Sequence, residues 1–190
     1  MDNIAIILLA AGLGKRLPGE LPKAAQRTCD APLISHALEA LTGLAHQALL
    51  VVTGHKREVV EELVNNEKAL EPGKCIFAFQ EKQLGTGDAV RRALEKHPDF
   101  SGTYLILYAD LPLLRSSSLQ TLLRLHRKEK STLSIVSVRL ADPQNYGRVI
   151  RDPASGHVTG VVEAKDCDAN QLAVNEINVG VYAVEAAFLR

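Results

Sequence analysis

Six apolar residues in unbroken succession, Ile4 to Leu9, leave this chain little choice in how it folds. A run that short, with no polar alternation, fits a strand buried on both faces, as in a parallel sheet covered by helices on either side. The run stops at Ala10, Ala11 and Gly12, with Gly14 two residues on. Side chains that small let a ligand approach the main chain closely, and successive peptide N–H groups can point into one concavity that attracts anions. Lys15, Arg16 and Lys23 add positive charge. The stretch therefore reads as a cradle for a polyphosphate. The competing reading is a tight strand exit with a solvated basic patch. Its glycine spacing matches neither G-x-G-x-x-G nor G-x-x-x-x-G-K-[ST], so it is neither the dinucleotide fingerprint nor the ordinary P-loop.

Strand and helix patterns then alternate. Leu33, Ile34, Ala37, Leu38, Leu41 and Leu44 recur at helical spacing behind Pro32, and Ala48 to Thr53 is a second apolar strand broken by Gly54. Val59, Val60, Leu63 and Val64 form one helical face, Pro72-Gly73 marks a turn, and Cys75 to Phe79 is a short strand. A helix is predicted from near Thr86 to about Lys96, and a strand from Tyr104 to Tyr108. Ser116 or Ser117 can cap a helix whose apolar face holds Leu119, Leu122, Leu123 and His126, followed by a strand over Leu133 to Val138. This alternation predicts a three-layer αβα sandwich with a Rossmann-like, mostly parallel sheet, in which ligands gather beyond the carboxyl ends of the strands. From Arg148 the texture changes. Arg148 to Arg151 and Val158 to Glu163 flank the turn Asp152-Pro153-Ala154-Ser155-Gly156, which predicts a small antiparallel lobe. Asn178 to Val184 is one more strand, and Glu185 to Arg190 looks like the first turn of a helix. With 190 residues, 46% of them hydrophobic, the expectation is one domain over 1–190.

Charge and composition exclude several classes of function. Twenty-two basic residues balance 22 acidic ones, so a broadly basic nucleic-acid surface is not expected and any anion site is local. Cys29, Cys75 and Cys167 are far apart with no C-x-x-C spacing, which argues for reduced thiols rather than a disulfide or metal framework. The six histidines form no H-x-x-x-H or H-E-x-x-H pattern, and no serine or cysteine lies in G-x-S-x-G. Neither a signal peptide nor an apolar stretch of membrane-spanning length is present, so a soluble cytoplasmic protein with no membrane partner is expected.

Further along, Gln80-Glu81-Lys82-Gln83-Leu84-Gly85-Thr86-Gly87 follows a strand and opens a helix. Its glycines and amides can receive a base edge or a phosphate; equally, it can be a flexible loop with Thr86 as the cap. Asp110 ends a strand where a carboxylate can reach a divalent ion bridging phosphate oxygens, or can serve as a turn residue before a proline. Glu163, Lys165 and Asp166 can be simply a solvated loop.

The ordered strings say more together. Leu9-Ala10-Ala11-Gly12-Leu13-Gly14-Lys15-Arg16-Leu17 with Leu21-Pro22-Lys23 resembles the signature L-A-A-G-x-G-[TS]-R-[ML]…L-P-K of the sugar-nucleotide nucleotidyltransferases. The Q-x-x-x-L-G-T-G stretch, Tyr108-Ala109-Asp110, Tyr146-Gly147-Arg148, Val162-Glu163-Ala164-Lys165-Asp166 and Glu176-Ile177-Asn178-Val179-Gly180 resemble in particular those of the N-acetylglucosamine-1-phosphate uridylyltransferases. Lys15 departs from the usual Thr or Ser, and Ala109 from the usual Gly. The resemblance implies attack of N-acetylglucosamine 1-phosphate on the α-phosphorus of UTP, giving UDP-N-acetylglucosamine and pyrophosphate, with Mg2+ as cofactor. By the same likeness Arg16, Lys23 and Asp110 are catalytic and Asp110 holds the metal. Leu9, Ala10, Ala11, Gly12, Gly14, Gln80, Gly85 and Thr86 contact the nucleotide, the glutamine amide reading uracil. Tyr108, Ala109, Gly147, Glu163 and Asn178 contact the sugar. In that family a second metal ligand, an asparagine, lies beyond the stretch corresponding to this chain. Bifunctional members continue into a left-handed β-helix acetyltransferase, and no hexapeptide repeat is visible here, which implies a truncated piece or a shorter relative. Alternatives are a related enzyme using CTP or GTP and a non-catalytic sugar-nucleotide sensor. The sequence leaves the oligomeric state open.

Overall fold

The opening strand is covered along its whole length: all six residues of β1 (Ile4–Leu9) are buried. The computed structural model describes residues 3–12, 14, 20–67 and 75–190. Arg16, with Leu13, Lys15, Leu17 and the Pro72-Gly73 turn, lies outside the described residues. After β1 comes a two-strand ribbon, β2 (Arg27–Thr28) and β3 (Ala31–Pro32), which the apolar pattern did not announce. Then follow α1 (Leu33–Ala40), β4 (Ala48–Thr53), α2 (Arg57–Asn65), β5 (Cys75–Phe79), α3 (Thr86–Lys96), β6 (Thr103–Tyr108), α4 (Ser116–Lys128) and β7 (Leu133–Arg139). The remainder is β8 (Arg148–Arg151), β9 (Val158–Val162), α5 (Ala169–Leu172) and β10 (Glu176–Glu185). A 3-10 turn over Ala186–Phe188 stands where a further helix was expected. The chain divides into two compact units, Met1–Ser134 with Tyr182–Arg190, and Ile135–Val181, so the second unit begins ahead of the expected Arg148.

In the first unit the strands run in the order β5-β4-β1-β6-β10. β1 pairs in parallel with β4 (Leu9 opposite Val52) and with β6 (Leu9 opposite Tyr108), and β4 in parallel with β5 (Thr53 opposite Phe79). Because all four point the same way, their carboxyl ends share one rim. Alternate residues of β1 serve opposite faces. Ala5, Ile7 and Leu9 join Leu50, Val52 and Ile106 in a cluster closed by Ala89, Val90 and Ala93 of α3. Ile6 and Leu8, with Leu49, Val51, Leu105 and Leu107, are buried outside that cluster, as are Ile34 and Leu38 of α1, Val60 and Val64 of α2, and Leu119 and Leu123 of α4. Helices therefore cover both faces, as the three-layer reading requires. Each fully buried Leu or Ile contributes roughly 1.5–3 kcal/mol. The expected serine cap of α4 is not formed: Arg115 is the cap residue, and Ser116 Oγ is drawn away to donate to the Thr42 carbonyl at 3.2 Å.

The second unit is antiparallel. β8 pairs with β9 from Arg148 opposite Val162 to Arg151 opposite Val158, and β10 pairs with β8 at Ile177 opposite Arg148. The Asp152-to-Gly156 turn forms as expected: Asp152 Oδ1 accepts from Ser155 N and Oγ, both at 2.7 Å, and Gly156 takes the left-handed conformation at φ 72°. Its polar anchor is Glu176. Arg151 grips that carboxylate through Nε at 2.9 Å and Nη2 at 2.6 Å, and Ser137 Oγ donates at 2.5 Å. The Arg151 guanidinium holds the Glu176 carboxyl down at about 2, against an ordinary 4.5.

A carboxylate depressed in the folded state stabilises above its unfolded pKa and loses that contribution as pH falls through the folded value. Denaturation of the wild type should therefore show stability falling from about pH 4.5 towards about pH 2, and the fall should be shallower in Glu176→Gln. At neutral pH, Arg151→Ala should cost about 2 kcal/mol, below the value for a fully buried pair, because the Arg151 side chain is 41% exposed.

Candidate functional site

The loop after β1 is tied to the strands on either side before it turns away. Ala10 N–H donates to the Val52 carbonyl at 2.9 Å, and Ala109 N–H donates to the Leu9 carbonyl at 3.0 Å. The exits of β1, β4 and β6 are thus locked side by side. Gly12 O accepts from Lys23 N at 3.4 Å. Gly14 adopts φ 66°, and a Cβ placed on it would lie 3.1 Å from Lys23 Cβ. Glycine is required there both by the left-handed conformation and by the close approach of Lys23. Lys23 opens a single 3-10 turn, Lys23–Ala25, and its ammonium pairs with the Asp110 carboxylate. A Cβ on Gly12 would meet nothing within 4 Å, so the space beside that peptide is open. Gly12, Gly14, Lys23 and Asp110 are therefore together at one rim, as their sequence positions predicted.

The Gln80-to-Gly87 loop joins this rim from β5. Gln80 N–H donates to the Thr53 carbonyl at 2.8 Å, and its side chain turns inward. There Nε2 donates to Gly85 O at 3.0 Å and to Asp88 Oδ2 at 2.9 Å, so the amide braces the start of α3. Gly85, at φ 101°, is the cap residue of α3, and Thr86 is its first residue rather than its cap. The Thr86 hydroxyl lies 3.0 Å from the Tyr108 hydroxyl, tying the helix start to the end of β6. Two residues not anticipated as part of the site complete the junction. Gln83 Nε2 donates to the Ala11 carbonyl at 2.7 Å, and a Cβ on Gly54 would lie 2.8 Å from that same oxygen. Gly54 carried a signal, as the breaker after β4; Gln83, a variable position of its motif, carried none. Both also line an open depression of about 510 Å³ in which the Arg57 guanidinium stands 4.8 Å from the centre of the Phe79 ring.

In the second unit three separated motifs meet. Asn178 N–H donates to the Gly147 carbonyl at 2.9 Å, and a Cβ on Gly147 would come 3.7 Å from Glu163 Oε1 and 3.3 Å from Val161 Cγ1. Gly147, Glu163 and Asn178 thus form one group, with Asn178 Oδ1 accepting from Gly180 N at 3.1 Å. Neighbouring motif residues act on the fold. Arg148 is buried and donates to the Tyr146 and Gln144 carbonyls, and Glu176 is the carboxylate gripped by Arg151.

Charge at the rim is exchangeable. Lys23 and Asp110 are 43% and 25% exposed, and such pairs are worth at most about 1 kcal/mol, so an anion competing for the ammonium separates them at little cost. Among the described residues no group of three or more His, Cys, Asp or Glu side chains is placed to hold a metal ion, and no helix is long and apolar enough to cross a membrane. Asp110 on its own still fits a hard cation that takes one protein carboxylate and completes its shell with phosphate oxygens and water.

The chain is 40% identical over 189 residues to the bifunctional protein GlmU of Geotalea daltonii, covering 100% of this chain and 40% of the relative. It is 44% identical over 187 residues to that of Kineococcus radiotolerans, covering 98% of this chain and 37% of the relative. The chain thus spans about two-fifths of the length of these curated relatives. Among solved structures, UDP-glucose pyrophosphorylase complexed with UDP-glucose superposes with a TM-score of 0.77 at 21% identity, covering 100% of this chain and 78% of that one. HddC from Yersinia pseudotuberculosis superposes with a TM-score of 0.73 at 23% identity, covering 97% and 78%. These structural likenesses establish the shared fold. The MobA-like NTP transferase domain matches residues 6–165, most of the chain, and this protein belongs to that family.

Proposed function

We propose that the rim of the first unit binds a nucleoside triphosphate, that the Gly147–Glu163–Asn178 group of the second binds a hexosamine 1-phosphate, and that the chain transfers the nucleotidyl group with release of pyrophosphate. The observation that carries this reading is the Lys23–Asp110 pair set against the Gly12–Gly14 loop at the exits of β1 and β6. UTP and N-acetylglucosamine 1-phosphate are the substrates favoured by the ordered motifs.

A sugar phosphate is largely dianionic near neutral pH, its second pKa being about 6, so no protein base is needed to make it a nucleophile. What the reaction needs is relief of repulsion between two anions and stabilisation of charge on the departing pyrophosphate. Lys23, released from Asp110, neutralises the α-phosphate region. The amides of Gly12 and Gly14 and the Arg16 guanidinium grip the triphosphate. Ala10, Ala11, Gln80, Gly85 and Thr86 seat the nucleoside. Glu163 and Asn178 offer a carboxylate and an amide suited to sugar hydroxyls and an acetamido group, and Tyr108 and Ala109 are further sugar contacts in this reading. Asp110 is the residue that would hold Mg2+, which when bound supplies screening of the phosphate charges.

A pyrophosphate-release assay with each of four nucleoside triphosphates and several hexose 1-phosphates tests this directly. Release only with a divalent cation, fastest with UTP and N-acetylglucosamine 1-phosphate, is expected. Binding of UDP-N-acetylglucosamine with no turnover would reduce the function to sensing. Lys23→Ala and Arg16→Ala should each lower kcat by about two to three orders of magnitude, the usual loss for one positioned donor; wild-type turnover in either folded variant would remove that residue from the mechanism.

Gly54→Ala forces a methyl against the Ala11 carbonyl. The KM for the triphosphate should rise at least about tenfold, and stability should fall by about 1–3 kcal/mol, the range for overpacking. An unchanged KM would show that the Ala11 peptide does not help to seat the nucleotide.

A further inference from the structure

Gln80 is held more tightly than a residue that only lines a pocket needs to be. It is 3% exposed, and both partners of its Nε2, the Gly85 carbonyl and the Asp88 carboxylate, are acceptors with no proton to give. The amide cannot turn over without setting its own Oε1 against two oxygens. Asp88 is itself fixed: Arg91 Nη2 donates to its Oδ1 at 2.5 Å, and Arg92 Nε lies 3.8 Å away. The hydrogen bond from Gln80, and then that from Arg91, hold the Asp88 carboxyl below the usual range, which keeps it an acceptor at neutral pH. Among the described residues nothing donates to Gln80 Oε1, and that atom is not sealed from solvent. Beside it, a Cβ on Gly85 or Gly87 would meet nothing within 4 Å, and the first-turn amides of α3 have no side-chain cap. The loop therefore presents one fixed acceptor flanked by backbone donors.

We propose that Asp88 is a positioning residue: it locks the Gln80 amide so that only the carbonyl oxygen is offered to the base, restricting the site to nucleotides whose ring nitrogen carries a hydrogen beside a carbonyl. Uracil and guanine have that edge; cytosine and adenine present a bare ring nitrogen there. An unclamped glutamine reads either kind by rotating its amide. A clamped one sets oxygen against the nitrogen lone pair of cytosine or adenine and leaves a desolvated acceptor unpaired. This inference rests on the reading of the rim as a nucleotide site.

The test is the ratio of kcat/KM for UTP and GTP to that for CTP and ATP in the wild type, Asp88→Asn, Asp88→Ala and Arg91→Ala. Calorimetric titration of the same proteins with UTP and CTP gives a readout independent of turnover. The wild type should favour UTP or GTP by about 100-fold or more. Asp88→Asn, whose amide can donate to a reversed Gln80, should shrink that ratio by about tenfold or more. Asp88→Ala should shrink it in the same direction, and Arg91→Ala, which removes one group fixing Asp88 but leaves the Asp88 carboxylate to accept from Gln80, should shrink it less than either Asp88 variant. Circular dichroism and the melting temperature establish that each variant is folded. Equal losses for all four nucleotides in both Asp88 variants would make Asp88 a brace of α3 and overturn the inference while leaving nucleotidyl transfer intact. A wild type that prefers CTP or ATP would overturn it likewise. Failure to bind or turn over any of the four would defeat the underlying reading, and this one with it.

Discussion

Once β1 is covered on both faces and flanked on both edges, polar chemistry can begin only where that strand stops. The parallel register then repeats the condition in its neighbours, since β4, β5 and β6 stop at the same rim. Ala10, Gly54, Gln80 and Ala109 are the first residues past those four strands, and each is joined through backbone or side-chain contact to another strand's exit. The site is thus a consequence of the sheet: a shift of one strand by one residue would move its exit loop about 3.3 Å along the strand direction and part these contacts.

Two ion pairs show how the same chemistry serves opposite ends. Arg151 and Glu176 form a two-pronged contact in which the carboxylate is 9% exposed, and a third donor, Ser137, completes it. Losing one partner leaves a charge without water, so the pair is fixed and structural. Lys23 and Asp110 share the same charges with both groups open to solvent. Water and ions compete for each of them, and the pair yields to a polyanion. His126 belongs with the fixed kind: buried on α4, it has Nδ1 2.8 Å from Ser134 Oγ and Nε2 3.0 Å from Glu185 Oε1, which also accepts from Thr103 Oγ1 at 2.7 Å. Exposure of the pair, more than its distance, separates a group that holds the fold from one that waits for a ligand.

What the amino-acid order disclosed follows the same physics. β1 and the helices over Thr86 to Lys96 and Leu119 to Leu123 were legible because apolar burial repeats with a fixed period. The β2–β3 ribbon was not, because strands of two residues are too short for any period to register. The meeting of Gly147, Glu163 and Asn178 was visible only through the family resemblance, since each alone reads as a turn or strand-end residue. Gln83 was invisible by any route: its contribution is one hydrogen bond to a carbonyl 72 residues away, made possible only by the register of β1, β4 and β5. Glu176 stood in a motif, but its structural role was not legible, because its partner Arg151 belongs to no motif and the pairing exists only once β8 and β10 are side by side.

The departure at Ala109 looks costly in the sequence and is not costly in the structure. A glycine is indispensable where φ is positive or where a methyl has no room. Ala109 meets neither condition: it is absent from the described residues with positive φ, and at 2% exposure its methyl is packed in the core. Its N–H still reaches the Leu9 carbonyl at 3.0 Å, so the coupling of the β1 and β6 exits survives the extra carbon. Gly54 is the reverse case, a glycine outside every recognised motif whose replacement would drive a Cβ to within 2.8 Å of the Ala11 oxygen. Gly54 is therefore indispensable because it faces a neighbouring backbone, as Gly14 is because of its left-handed conformation and the closeness of Lys23, whereas position 109 carries a methyl because neither condition holds there.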